Sequence, residues 1–344
     1  MKIAIVFGGI SFEHEISIVS SIAMKDVLKE ELVYIFLDEN REFYHIPTEV
    51  INSKLFSSAE YKKQDILTLK KGGFYKKAMF GDKELSFDFV LNLTHGGDGE
   101  DGVLASLFEF NAIDFVGPRI EACSISSNKF LTKGYSSSCD VEVIDYKYFN
   151  KADCVKVDTY PVIIKPTRLG SSIGVSIVKD ESELQYALDV AFEFDTDIII
   201  EPFINGIKEY NLAGCKINDE FVFSIIEEPA KADFLDFDKK YLDFSRTSKA
   251  QVADINETLQ NKIKESFKSI YNTTFEGAII RGDFFVIDDV VYLNEINPIP
   301  GSMANYLFDD FNSLLINLSK SLPSKNKINI TYDYVNKIQC AKGK

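Results

Sequence analysis

Apolar runs separated by glycine, proline and acidic turns divide the chain into short elements. Lys2–Phe7 is a strand-length apolar run closed by Gly8-Gly9; a helical stretch follows from about Ile16 to Leu28, then a second strand at Leu32–Leu37. That order predicts a βαβ opening and a parallel sheet. Phe87–Leu93 reads as another buried strand. It leads into the glycine-rich loop His95–Gly102, a helix near Val103–Asn111 and a strand at Ile113–Val116, with a boundary at Gly117-Pro118. A first unit therefore spans 1–118.

A second unit, 119–206, opens with a helix near Ser127–Ser136. Strands at Pro161–Lys165 and Val175–Val178 flank the Gly/Ser loop Thr167–Gly174, Asp180 caps a helix through about Phe194, and Asp197–Phe203 is a strand ending at Asn205-Gly206. The third unit, 207–344, holds strands at Asn211–Ile217 and Glu220–Ile226, an aperiodic stretch Glu227–Ala250 and a helix over Glu257–Tyr271. A hairpin follows (Ala278–Ile287, turn Asp288-Asp289, Val290–Ile296), then a helix near Asn312–Leu322 and a polar tail. The fold class expected is α/β, α+β in part.

Charge narrows the function. The 344 residues carry 53 acids against 38 Lys and Arg, a formal −15, which argues against general binding to nucleic acid or anionic membrane. A phosphate needs only local positive charge. Five scattered cysteines without CxxC spacing speak against a zinc site or a disulfide framework. No apolar run approaches the length of a membrane span, and MKIAIVFGG with Glu13 and Glu15 close behind does not read as a signal peptide. A cytoplasmic protein is expected.

Four segments carry candidate chemistry. Asp283 lies on one arm of the last hairpin and Glu295 and Asn297 on the other. Residues two apart on a strand share a face, so Glu295 and Asn297 point the same way and Asp283 can sit opposite them; the three then offer a hard, all-oxygen set suited to Mg²⁺ with substrate phosphates, and they also read as surface acids on a solvated hairpin. Asp283 sits among Ile279, Ile280, Phe284 and Phe285, so it needs a partner, either Arg281 or a cation. In Lys165–Gly174 a strand delivers a lysine to a loop whose N–H groups and Arg168 suit an anion; a plain hairpin turn is the alternative. Gly97–Gly102 matches GxGxxG, but three acids inside it and its late position argue against a dinucleotide site. Gly8–Ser17 lies at the C-terminal end of the first strand, where Glu13 suits an ammonium and the helix N-terminus a carboxylate, or where the acids merely favour the helix dipole.

Taken in order, FGGISFEHEIS, HGGDGEDG, IIKPTRLGSSIGVSIV, KKYL and RGDFF…YLNEINPIPG make the chain resemble the D-alanine–D-alanine ligases of the ATP-grasp superfamily, over about residues 3–322. The resemblance implies three domains, ATP as co-substrate between the second and third, and Mg²⁺ or Mn²⁺, two ions, as cofactor. It implies that Lys129 and Lys165 meet ATP phosphates with Ser172, that Glu201, Phe203 and Ile204 form the adenine hinge, and that Glu209 meets the ribose. Asp283, Glu295 and Asn297 fall on the metal ligands, Glu13 on the group that holds the first substrate's ammonium, and Ser171 and Tyr241 on its hydrogen-bonded partners. His95 falls in the substrate pocket, and Arg281 by the transferred phosphate and the oxyanion.

The pattern departs after Gly301: the family's serine position falls on Tyr306, beside Asn305, with Leu307 in the place of the family's leucine, so backbone N–H groups there are left to bind the second carboxylate. Glu227–Ala250 is the expected lid, with the Gly170–Gly174 loop a second candidate, and a homodimer is implied. A ligase making D-alanyl-D-lactate or D-alanyl-D-serine, a non-catalytic nucleotide-binding module and a dinucleotide oxidoreductase are the alternatives.

Overall fold

Residues 1–229, 250–272, 274–324 and 328–342 are described by the computed structural model. Its first sheet comprises β1 (Lys2–Gly8), β2 (Glu31–Leu37), β3 (Phe43–Ile46), β4 (Asp65–Lys70), β5 (Gly73–Ala78), β6 (Gly81–Glu84), β7 (Phe89–Asn92) and β8 (Phe115–Val116), in the order β6-β5-β4-β3-β2-β1-β7-β8. β1 pairs in parallel with β2 and β7, and β7 with β8. These strands are apolar on both faces because both are covered: Ile3, Ala4, Ile5, Val6 and Phe7 are all fully buried. The helix His14–Val27 makes the β1–β2 crossover. Gly8 ends β1 at φ +99°, where a Cβ would lie 2.2 Å from the Leu37 carbonyl oxygen, so only glycine fits.

The antiparallel meander β3–β6 escaped the sequence reading. β3 is buried but only four residues long, β4 and β5 mix apolar with charged positions, and all four residues of β6 are exposed, so no sustained apolar period marks the set.

The second sheet, β9 (Lys147–Asn150), β10 (Val162–Pro166), β11 (Ser176–Val178) and β12 (Asp197–Pro202), is antiparallel in the order β11-β10-β12-β9. The helix Glu181–Phe194 covers it with Ala187, Leu188 and Ala191, and Asp180 caps that helix by accepting from Ser182 N–H at 2.9 Å. The third sheet has the order β14-β13-β15-β16, from β13 (Lys208–Ile217), β14 (Glu220–Glu227), β15 (Ile280–Ile287) and β16 (Val290–Asn297). The helix Glu257–Tyr271 buries Leu259, Ile263, Phe267, Ile270 and Tyr271, the i, i+4, i+8 stripe that its sequence predicts.

The polar tail is corrected: Asp333–Lys342 is a helix. It lacks the apolar periodicity by which a buried helix is recognised, and its side chains are exposed. Glu228 N–H donates to Gln251 O at 3.0 Å and Ala253 N–H to Ile226 O at 2.9 Å. Most of the expected lid, with Tyr241, lies outside the described residues. Among the described residues no helix is long and apolar enough to cross a membrane.

Candidate active site

The loop after β1, the loop His95–Gly102, the Gly/Ser loop of the second sheet and the end of β16 enclose a cavity of about 550 Å³. Glu13, Glu100, Lys129, Gly170, Glu295 and Asn297 are on its wall. Glu13 takes a hydrogen bond from the Ser171 hydroxyl at 2.5 Å. Two glycines cradle its carboxylate: a Cβ on Gly96, which sits at φ +63°, would lie 2.8 Å from Oε2, and one on Gly170 would lie 3.2 Å from Oε1. Burial pushes the Glu13 carboxyl up, Ser171 opposes this, the nearby Glu295 adds to it and Lys129 opposes it. A cation placed here would find a carboxylate short of positive company.

The GxGxxG glycines serve packing. A Cβ on Gly97 would come 2.1 Å from the Ile10 carbonyl oxygen, and one on Gly99 1.8 Å from that of Thr94. Asp98 is bound by Arg41 at 2.8 Å and by Ile10 N–H at 3.2 Å. This close seating of two loops, rather than a pyrophosphate, is what the glycines allow.

Behind the cavity lies a cluster of charge. Lys129 opens the helix Lys129–Ser138 and donates to the Leu169 carbonyl, and burial lowers its ammonium pKa. Lys165, near the end of β10, pairs with Glu201 at 2.6 Å and lies 3.4 Å from Asn294 Oδ1. Glu201, on β12, also pairs with Lys133 at 2.5 Å. Burial works to raise the Glu201 pKa, but Lys165 and Lys133 outweigh it and hold the carboxyl below its ordinary value. Lys133 was missed by the sequence reading, although it sits four residues after Lys129 on one helix, the spacing that puts two side chains on one face. Arg168, by contrast, is committed to Asp195 at 2.6 Å and Asp197 at 2.7 Å. Ser171 and Ser172 both hold left-handed backbone, φ 53° and 60°. Phe203 and Ile204 follow β12 half-buried, with Phe203 N–H on Pro161 O at 3.0 Å, and Glu209 is on β13 beside Phe285.

The hairpin register places Asp283 directly across from Glu295, and Arg281 across from Asn297. The partner required by Asp283 is Arg281, whose Nε and Nη2 donate to its two oxygens at 2.7 and 2.8 Å, while Asn297 adds a third bond at 3.0 Å. Burial raises the Asp283 pKa against the pull of Arg281. Two carboxylates and an amide on one face fit a hard divalent ion. Among the described residues no group of three or more His, Cys, Asp or Glu could hold a metal, so a bound ion here would take its remaining ligands from substrate or water.

His95 is buried behind the loop: its Nδ1 lies 2.9 Å from Ile299 O and its Nε2 3.0 Å from Ser20 Oγ, which also accepts from Ser302 N–H at 3.2 Å. Burial lowers its pKa to about 4, so the ring is neutral near pH 7. Glu100 is a second residue the sequence reading left unassigned, though it stands inside the quoted HGGDGEDG motif. Burial and the Glu13 carboxylate push it up to about 8, and it approaches His95 Nδ1 at 3.9 Å. Beyond Gly301, Ser302, Met303 and Ala304 take φ of 48°, 55° and 50°. Three successive non-glycine residues in this region cost roughly 1–3 kcal/mol each. Asn305 donates to Ser302 O at 2.7 Å, Leu307 is core, and the Tyr306 hydroxyl accepts from Arg281.

Residues 2–118 match the family model "D-ala D-ala ligase N-terminus" and residues 137–311 the model "D-ala D-ala ligase C-terminus". A D-alanine–D-alanine ligase of Sulfurovum sp. is 59% identical over 346 residues, covering 100% of both chains. One of Campylobacter jejuni subsp. doylei is 55% identical, again covering 100% of both. The crystal structure of the Helicobacter pylori D-alanine–D-alanine ligase superposes with TM-score 0.85 at 50% identity, over 95% of this chain and 100% of that one. With both family halves matched in order and identity sustained along its whole length, the chain belongs to the D-alanine–D-alanine ligase family.

Proposed function

We propose that the chain ligates two D-alanines to D-alanyl-D-alanine with ATP, through a D-alanyl phosphate, for peptidoglycan precursors. The observation that carries this is the grouping of Glu13 with Ser171, Lys129, Glu295 and Asn297 around one cavity. An amino acid offers an ammonium to Glu13 and turns its carboxylate toward the lysines and the hairpin face. A carboxylate is a poor acylating agent because oxide is a poor leaving group, and phosphorylation repairs that. The phosphoryl step is mostly positioning and charge neutralisation, here by Lys129, Lys165 and Arg281. Mg²⁺ or Mn²⁺, two ions in this reading, would be held by Asp283, Glu295 and Asn297 and supplies charge neutralisation at the phosphates.

The bidentate pair with Asp283 fixes the Arg281 guanidinium, which suits it to the oxyanion formed when the second amine attacks. The left-handed turn Ser302–Ala304 supports a backbone site for the second carboxylate, with Tyr306 and Asn305 beside it. Ser172, Phe203, Ile204 and Glu209 are assigned to the nucleotide, His95, Gly301 and Leu307 to the substrate pocket, and Tyr241 to the partner of Ser171. Three domains, 1–118, 119–206 and 207–344, a cytoplasmic location and a homodimer belong to the same reading.

The test is purified protein with Mg-ATP and D-alanine, followed for phosphate and dipeptide. Both are expected. No phosphate release sinks the ligase, and release only with added D-lactate or D-serine shifts the product.

A further inference from the structure

The helix Lys129–Ser138 turns two lysines to one side. Lys129 reaches the cavity wall; Lys133 is one turn deeper, its side chain 2% exposed. Its ammonium is 2.5 Å from Glu201 Oε1, while Lys165 holds Oε2 at 2.6 Å. Glu201 is itself 3% exposed. The other groups near Lys133 are the Ile144 carbonyl at 3.5 Å and the Tyr146 ring at 5.4 Å, neither of which is a counter-ion. One buried carboxylate thus serves two ammoniums; Lys129, nearby, also has Glu295 and Glu13 among its charged neighbours, so the uncompensated charge belongs to the Lys133–Glu201–Lys165 trio. The group carries a surplus of positive charge in a place where charge is costly.

A simple Lys165–Glu201 pair would behave otherwise. The carboxylate would neutralise the lysine, and an incoming phosphate would have to compete with a closed ion pair in low dielectric. Sharing Glu201 removes that competition. We propose that Lys133 is a positioning residue for the nucleotide: by occupying half of Glu201 from behind, it anchors Lys165 while leaving the surplus positive charge that a polyphosphate satisfies. The inference rests on the ATP-dependent reading above and adds a residue to it.

It is tested by calorimetric binding of Mg-ATP, Mg-ADP and adenosine to the full chain and two variants, beside wild-type phosphate release. Lys133→Met keeps the length and removes the charge. It is expected to weaken ATP by about tenfold or more, ADP less, and adenosine about twofold at most. In Lys133→Met with Glu201→Gln a positive and a negative charge leave together, so the surplus returns and the preference for ATP over adenosine, a ratio in which any change at the adenine end cancels, recovers most of the loss. A lysine that merely fills space would weaken adenosine and ATP by the same factor, and that result overturns the proposal; so does a double variant whose preference for ATP over adenosine is no greater than that of Lys133→Met. Lys133→Met leaves the Lys165–Glu201 pair intact, whereas the double variant leaves Lys165 without its carboxylate; if the double variant does not fold, Lys133→Met decides alone: a loss for ATP well beyond that for adenosine supports the inference, and equal losses overturn it. Wild type that binds ATP with this charge dependence but releases no phosphate with D-alanine leaves Lys133 in place and removes the ligase.

Discussion

Glu201 and Glu13 are both drawn out of bulk water within one functional region, yet the fold supplies them with different company. Glu201 has two ammoniums within 2.6 Å, and its carboxyl is held below the ordinary value. Glu13 has a serine hydroxyl, the carboxylate of Glu295 nearby and only the weaker opposing charge of Lys129, and its carboxyl is raised. The first glutamate is provided for when the chain folds. The second is completed by what binds, since an ammonium on Glu13 or a cation on Glu295 relieves the same repulsion. On the proposed assignment of the site, the nucleotide side is assembled beforehand, and the amino-acid side is finished by its ligand.

The largest effects are expected where that assembly meets the phosphates. Lys165→Ala and Asp283→Ala should each lower turnover about 100-fold or more, measured as phosphate release at saturating substrate, with circular dichroism confirming the fold. Near-normal turnover in either variant would remove that residue from the site.

Stability separates the two glutamates next. Glu201→Ala leaves Lys133 and Lys165 buried without a counter-ion and should cost about 3–5 kcal/mol in urea unfolding. Glu13→Ala removes a carboxylate that burial already disfavours, so its unfolding midpoint should match or exceed wild type. Equal losses in the two variants would break the comparison. The effect of Glu13→Ala should appear in binding instead: the KM for D-alanine rises about tenfold or more, with ATP affinity unchanged. A defect confined to ATP would contradict the role of Glu13.

How much of this the sequence disclosed follows from the physics of each signal. The parallel strands and the Glu257–Tyr271 helix were readable because burial on one or both faces leaves an apolar period. The β3–β6 meander was not, because half-exposed short strands carry none. Strand alternation put Glu295 and Asn297 on one face, but the two-residue turn alone would set Asp283 across from Asn294; the register shift between Asp283 and Phe284 brings Glu295 opposite instead. Lys133 was hidden for another reason: a buried lysine looks like a surface lysine until its carboxylate, 68 positions away on another element, is placed beside it. Glu100 was hidden likewise, since its raised pKa comes from burial that no local spacing encodes.

The most gradual effect expected is a dependence on pH, spread over several units. Glu100 keeps its proton in the folded chain up to about pH 8, whereas the unfolded chain releases it near the ordinary value of 4.5. Between those values the folded state holds more protons than the unfolded one, so stability falls as pH rises through the window. Glu201 acts with the opposite sign: its pKa is lowered, so its contribution is present at neutral pH and is lost as the pH falls below about 4.5. A single proton changes stability by no more than about 1.4 kcal/mol per pH unit. Glu100→Gln should therefore match wild type near pH 5 and exceed it near pH 8, with urea midpoints taken at both and between. If the variant loses stability toward pH 8 as steeply as wild type, the proton is not on Glu100, and the strain on the amino-acid side of the cavity must be carried by Glu13 alone.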